Sequence, residues 1–415
     1  MRRVLVERPP ALRLGVTAAV LALCGAVMLG MVERQTGALG FLVGLGLAVL
    51  PLPLVLGALA WLDRVAPQTP RDLVFCFAWG ACAATLVAIV ANSWTADLLV
   101  SHQGPRGETI GSAVVAPMVE ETCKGAAVLL LFAFRRRGHP GLTRGIVLAG
   151  FTACGFAFTE NVLYLGRSYT EDRAIGDGFD STICTFVLRG MLSPFAHPFF
   201  TAVIGIGFAL AAVARGRLLR VAAPVGGWLA AVLLHGLWNG AASLGTGGFL
   251  LVYGVCMVPA FGGLVGLAVW SRGDELRAVG TRLPMYVWAG WLGPAEPMVL
   301  GTIRLRSRAR LRARALYGPA GGRLMGEYIA LATALALLRR RAERGAAPVA
   351  EFTARERELL YRLWERRRWA APVLALVALP HPRGEPPRSP MTRHPPCPHV
   401  PPGRSHPSDR PGDPL

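Results

Sequence analysis

Long apolar blocks dominate the first two thirds of the chain. A helix needs about 20 apolar residues to cross the hydrocarbon core of a bilayer. Eight blocks approach or exceed that length, at approximately 11–31, 38–62, 73–93, 111–134, 142–166, 184–214, 221–243 and 248–270. The first is too long for the apolar run of a secretory signal, so we interpret it as a membrane span. The pattern predicts an all-α, polytopic transmembrane bundle of about eight helices.

Arginine positions predict the orientation of these spans, because basic residues near span ends remain on the cytoplasmic side. With the amino terminus inside, nine arginines fall in inner loops and four in outer loops. The inner ones are Arg64, Arg71, Arg135, Arg136, Arg137, Arg144, Arg215, Arg217 and Arg220; the outer ones are Arg34, Arg106, Arg167 and Arg173. We therefore expect a multi-pass protein of the plasma membrane with both termini in the cytoplasm.

Composition changes after the last apolar block and suggests three regions. Residues 1–270 form the predicted membrane domain, and 271–378 form a basic cytoplasmic region with helical periodicity. Residues 379–415 are rich in Pro and Arg, which predicts disorder because such a segment cannot bury a core. Residues 271–415 carry 25 Arg against 12 Asp plus Glu, or +13 of the net charge of +19. A basic segment beside anionic lipid accounts for this charge, and we expect no nucleic-acid partner.

Ionisable residues lie within four of the apolar blocks. Each charged group at the centre of a span costs about 2.5–3.5 kcal/mol on insertion scales, so their retention indicates a functional site. They are Glu120, Glu121, Lys124, Glu160, His197 and His235. Counted at about 1.5 Å per residue, their depths are compatible with one layer beneath the outer surface. Arg189, near the outer end of its block, is instead interpreted as a snorkelling side chain.

Spacing relates these residues to one another. Lys124, the only lysine of the chain, follows Glu120 by four residues and Glu121 by three, so one ammonium can serve both carboxylates. Two such carboxylates can take separate acid and base roles, although a structural ion triad has the same spacing. His235 and Asn239 are also four residues apart, which would let Asn239 orient the imidazole or stabilise an oxyanion.

Four motifs occur in order on successive blocks: Glu120-Glu121-Thr122-Cys123-Lys124, Phe156-Ala-Phe-Thr-Glu160, His197-Pro-Phe-Phe-Thr-Ala and His235-Gly-Leu-Trp-Asn239. Together they resemble the PrsW family of intramembrane proteases, distantly similar to the CAAX prenyl protease and bacteriocin-immunity group. The resemblance covers about residues 10–270. It implies cleavage of membrane-anchored proteins, with anti-sigma factors as the substrate type. It also implies that Glu120, Glu121, Glu160, His197 and His235 correspond to catalytic positions.

Two mechanisms stay open at this stage. In a metalloprotease, His197, His235 and Glu160 would hold Zn²⁺, and Glu120 or Glu121 would be the base. In a metal-free enzyme, a glutamate would activate water directly, while histidine and Asn239 stabilise the oxyanion.

Two other classes of membrane protein also place such residues in spans. One is a proton- or ion-coupled transporter, since Glu/His chains form proton relays. The other is a non-catalytic membrane binding or immunity protein. Because we find no internal repeat of the kind that transporters show, the sequence favours the protease.

Overall fold

The computed structural model describes residues 10–134, 141–176 and 178–379, and every regular element in these residues is a helix. Five helical stretches among them are long and apolar enough to cross a membrane: Leu14–Leu62, Pro70–His102, Leu142–Ile175, Asp180–Val213 and Arg217–Trp288. The prediction of an all-α membrane bundle is confirmed. The number of crossings stays a prediction, because two of these stretches, with 49 and 72 residues, are long enough for more than one crossing.

Among the described residues, twelve α-helices make up the part of the chain that carries the apolar blocks. They are α1 (Pro10–Val49), α2 (Leu52–Leu62), α3 (Pro70–Ala78), α4 (Thr85–Gln103), α5 (Pro105–Ile110), α6 (Ala116–Phe134), α7 (Leu142–Ile175), α8 (Asp180–Phe186), α9 (Ala196–Val213), α10 (Arg217–Ala241), α11 (Gly245–Val252) and α12 (Val258–Arg282). Short π-helical segments continue several of them, at Trp79–Ala84, Gly111–Val115, Val187–Leu192 and Tyr253–Met257. Local sequence sets the ends: Thr69 caps α3 by accepting a hydrogen bond from the Asp72 amide, and Pro70 follows the cap.

Two of the predicted spans are interrupted. The span predicted at 38–62 is divided by a turn at Leu50 and Pro51, between α1 and α2. The span predicted at 184–214 is broken at Ser193–Phe195. Because proline disfavours the helical conformation of the residue before it, Pro194 explains why Ser193 leaves the helix, at φ −130° and ψ 36°. Hydropathy alone does not register either break.

Helix α7 lies at the centre of the membrane bundle and packs closely through glycines. A Cβ atom on Gly145 would lie 2.1 Å from the carbonyl oxygen of Gly205 in α9, and a Cβ on Gly205 would lie 2.1 Å from that of Gly145. A Cβ on Gly155 would lie 2.0 Å from the carbonyl oxygen of Phe77 in α3. Small residues that let backbones approach in this way are typical of membrane interfaces. They bring α9 and α3 against α7 at two points in the first half of that helix.

The remaining helices form a second core at the carboxyl end of α12. They are α13 (Pro284–Trp288), α14 (Glu296–Leu300), α15 (Ile303–Glu343) and α16 (Val349–Ala378). Buried apolar side chains such as Leu335, Leu363 and Val373 join α15 to α16. Burial raises the pKa of Glu296, whose carboxylate accepts hydrogen bonds from the Tyr328 hydroxyl and the Gly293 amide.

The two cores are directly connected. The Arg306 guanidinium donates to the carbonyl oxygen of Val65, after α2, at 2.9 Å, and α12 passes residue 270 without interruption. Residues up to Ala378 form one compact unit. The domain division at 270 therefore stays a prediction. The predicted disorder of the tail falls on residues that lie, apart from Leu379, outside the described ones.

Substitution of Gly205 by valine should destabilise the bundle by about 3 kcal/mol, because the new side chain collides with the backbone of α7. The melting temperature of the purified protein in detergent measures this effect. Gly226→Val in α10 is the matched control, since no atom lies within 4 Å of its Cβ position. Equal melting temperatures for the two variants would contradict the close contact.

Candidate active site

The ammonium of Lys124 lies at the centre of a buried cluster. Its Nζ donates to Glu120 Oε2 at 3.1 Å and to Glu121 Oε1 at 2.9 Å, within the same helix α6. It also lies 3.2 Å from His197 Nδ1 and 3.9 Å from the centroid of the Phe156 ring. The side chain is fully buried. The predicted sharing of one ammonium between two carboxylates is therefore seen in the structure.

Glu121 points into the protein and has no exposed surface. Its Oε1 lies 3.0 Å from His235 Nδ1, and its Oε2 accepts a hydrogen bond from the Thr201 hydroxyl at 2.8 Å. With Lys124 as a third partner, the carboxylate is well satisfied. Because Glu121 faces Nδ1, the Nε2 atom of His235 is directed away from it. Glu121 thus orients an imidazole.

Glu120 faces in a different direction, since adjacent helical residues are rotated by about 100°. It lines an open cavity of about 670 Å³ between the membrane helices. Its Oε1 accepts a hydrogen bond from Asn92 Nδ2 at 3.4 Å, and its Oε2 lies 3.8 Å from His235 Nε2. Of the two adjacent glutamates, only Glu120 is among the residues that line this cavity.

Glu160, on α7, lines the same cavity from the other side. Its Oε2 lies 2.8 Å from His197 Nε2 and accepts a hydrogen bond from Arg189 Nη2 at 2.6 Å. Arg189 also donates through Nε to Asn161 Oδ1 at 2.8 Å and stacks over the Tyr164 ring at 4.1 Å. The interpretation of Arg189 as a snorkelling side chain is wrong, because its guanidinium is held inside the site.

The broken helix brings His197 and Arg189 to one carboxylate. Arg189 lies in the π-helical segment before the break, and His197 lies in the first turn of α9 after it. Pro198 is tolerated beside His197 because amides in the first turn have no helical acceptor. His197 and His235 then meet edge to face, with ring centroids 5.1 Å apart.

The spacing of four residues suggested that Asn239 orients His235, but in the structure it does not. Its Nδ2 donates to the carbonyl oxygen of Ser112 at 3.0 Å, and Glu121 holds the imidazole instead. Asn239 does line the cavity, so its role toward an oxyanion stays a prediction. Asn92 and Arg189, which both contact a site glutamate, were missed. The signal available for Arg189 was its charge near the depth of Glu160.

Three of the predicted residues can hold a metal ion together. Glu120, His197 and His235 each offer a ligand atom, and these atoms all lie within 4.8 Å of one another. Two imidazoles and a carboxylate are a set that catalytic zinc sites use. The contact of Glu121 with His235 Nδ1 matches the outer carboxylate that commonly orients such a ligand. The donors therefore fit a divalent ion such as zinc. The set differs in one member from the sequence prediction, which had Glu160 in place of Glu120.

A helical membrane bundle that gathers glutamates and histidines around one cavity is the arrangement that an intramembrane hydrolase requires. Residues 68–264, which contain every candidate site residue, match the model of the PrsW family intramembrane metalloproteases. The resemblance drawn from the four motifs is thereby confirmed, and the protein is a protease by family. The distant similarity to the CAAX group stays a prediction. Neither the curated proteins nor the solved structures give a match to this chain.

Replacement of Lys124 by methionine should destabilise the protein by about 3–5 kcal/mol, because two buried carboxylates lose their counter-charge. The second substitution Glu121→Gln should restore part of that loss by removing one of the two charges. Melting temperatures of the wild type, the single variant and the double variant measure both effects. A double variant less stable than Lys124→Met would contradict the charge balance described here.

Proposed function

We propose that this protein hydrolyses peptide bonds of membrane-anchored proteins at the cavity that Glu120, Glu160, His197 and His235 line. The observation that supports this most directly is that all four residues line one cavity in the helical bundle, with Glu160 Oε2 2.8 Å from His197 Nε2 and Glu120 Oε2 3.8 Å from His235 Nε2. By family resemblance, the substrates are of the anti-sigma-factor type. The protein acts in the plasma membrane, with both termini in the cytoplasm.

In this proposal Glu120, His197 and His235 hold a divalent ion, and their donor set suits zinc. When bound, the ion supplies Lewis-acid polarisation of the reacting groups. Lys124 contacts only one oxygen of Glu120 and one nitrogen of His197. The second heteroatoms of these side chains, Glu120 Oε1 and His197 Nε2, face Asn92 and Glu160, so metal binding through them would replace these contacts. Glu121 has an orienting role, because it is fully buried and holds His235 Nδ1.

Glu160 is the general base of the proposed mechanism. Its carboxylate faces the cavity and lies beside His197, where it can accept a proton from the attacking water and return it to the leaving amine. Arg189 fixes the direction of that carboxylate through its 2.6 Å hydrogen bond. Asn239, whose side chain lines the cavity, is placed to donate to a developing oxyanion.

The sequence left open a transporter and a non-catalytic binding or immunity protein. The family match supports the protease over both of them. Within the protease hypothesis, the metal-free mechanism predicts catalysis without any bound ion. Metal content and activity, measured on the same samples, distinguish the two mechanisms.

Glu120→Gln and Glu160→Gln should fail in different ways. Loss of a ligand carboxylate in Glu120→Gln should lower the amount of zinc that copurifies and weaken zinc binding by at least about tenfold. Loss of the base in Glu160→Gln should leave the zinc content unchanged and reduce cleavage by about 10²–10⁴-fold. Elemental analysis and cleavage of a single-pass reporter protein in proteoliposomes measure both quantities.

Glu171→Gln is the matched control, because Glu171 lies on the same helix α7 as Glu160 and is exposed. It should retain both zinc and activity. If Glu160→Gln loses zinc while Glu120→Gln keeps it, the roles of the two glutamates are reversed and the ligand set first predicted from the sequence is correct. Full activity of metal-depleted enzyme would favour the metal-free mechanism.

A further inference from the structure

A second, smaller cavity of about 100 Å³ adjoins the candidate active site. Its walls come from the broken helix around Pro194, from α9 and α10, and from the start of α12. Four residues line both cavities: Ser193, Pro194, Ala196 and Trp238. The small cavity is therefore a side pocket of the proposed catalytic chamber.

The lining of this side pocket is almost entirely apolar. Phe199, Phe200, Met257 and Val258 contribute to it. The hydroxyl of Tyr253, one of its few polar atoms, donates to the carbonyl oxygen of Leu192 at 3.0 Å. A charged or strongly polar group would find little compensation for its lost hydration here. An apolar group is the occupant that the pocket favours.

The side pocket is separated from the catalytic residues by the thickness of one ring. Phe200 lines the pocket and stacks on His235, with ring centroids 4.9 Å apart and planes inclined by 19°. A side chain held in the pocket would thus belong to a residue near the bond that is cut. This closeness makes the pocket relevant to the choice of cleavage site.

Size narrows the occupant further. An apolar cavity of about 150 Å³ binds a benzene molecule, so a pocket of about 100 Å³ suits an aliphatic side chain better than an aromatic one. We propose that the side pocket is a specificity subsite that takes one leucine-sized aliphatic side chain of the membrane-anchored substrate, next to the cleaved bond. This inference rests on the proposed protease function.

Val258→Trp should fill the pocket from its exposed rim. Val258 lines the pocket and is 49% exposed, so a larger side chain has room to enter without disturbing the core. Single-pass reporters in which each residue of the cleaved segment is in turn Ala, Leu or Phe would be tested in proteoliposomes. At one position the wild type should prefer Leu. The variant should lose about tenfold or more on the Leu reporter and retain cleavage of the Ala reporter.

Met257→Ala tests the same pocket in the opposite direction, because removal of the Met257 side chain enlarges it. This variant should cleave the Phe reporter at the same position, which the wild type should cut poorly. Val255→Trp is the matched control, since Val255 is exposed in the neighbouring turn and is not among the residues that line the pocket. Its ranking of the three reporters should equal that of the wild type.

The outcomes separate the two proposals. If the wild type cleaves the reporters but both pocket variants keep the wild-type ranking of Ala, Leu and Phe, the subsite is overturned and the protease function stands. If the wild type cleaves none of them, the proposed function fails and the subsite fails with it. Changed rankings in Val258→Trp and Met257→Ala, with an unchanged ranking in Val255→Trp, support the subsite.

Discussion

The buried ammonium of Lys124 is the interaction on which the arrangement of the site depends. Removing an ammonium and two carboxylates from water costs several kcal/mol for each ion, so their polar atoms need partners within the protein. Glu120, Glu121 and His197 serve the ammonium. Thr201 and His235 complete the surroundings of Glu121. Because these partners lie on α6, α9 and α10, satisfying one cluster of charges fixes the relative positions of three helices.

The interruption of the helix before His197 also helps to position the side chains of this site. Irregular backbone within a membrane protein is tolerated where it is covered by protein or lines a cavity, and Ser193 and Pro194 line both the large cavity and its side pocket. An unbroken helix would carry Arg189 and His197 eight residues apart, more than two turns along one axis. The break lets both side chains reach the carboxylate of Glu160.

The sequence predicts two kinds of feature of this site: contacts within a single helix, and the depth of each residue in its membrane span. The spacing of Glu120, Glu121 and Lys124 predicts their ion pairs, because positions three and four apart share a helix face whatever surrounds them. Contacts between helices depend on rotations and breaks that no spacing records. For this reason the role of Arg189, the contact of Asn92 with Glu120 and the true partner of Asn239 came only from the structure. The same limit applies to the ligand set: the carboxylate that lies within 4.8 Å of a ligand nitrogen of each imidazole belongs to Glu120, whereas the sequence favoured Glu160, and the choice between the two stays a prediction.

The count of hydrogen-bond donors and acceptors explains why residue 124 is a lysine and not an arginine. An ammonium has three donors, whereas a guanidinium has five in a fixed planar fork. Three acceptors surround Lys124 Nζ, namely Glu120 Oε2, Glu121 Oε1 and His197 Nδ1, and the ring of Phe156 covers another side. An arginine in the same enclosed space would bury donors without partners, at a cost comparable to losing hydrogen bonds. All the other Lys or Arg positions of the chain are arginine. The chain therefore has a physical reason to use lysine at position 124.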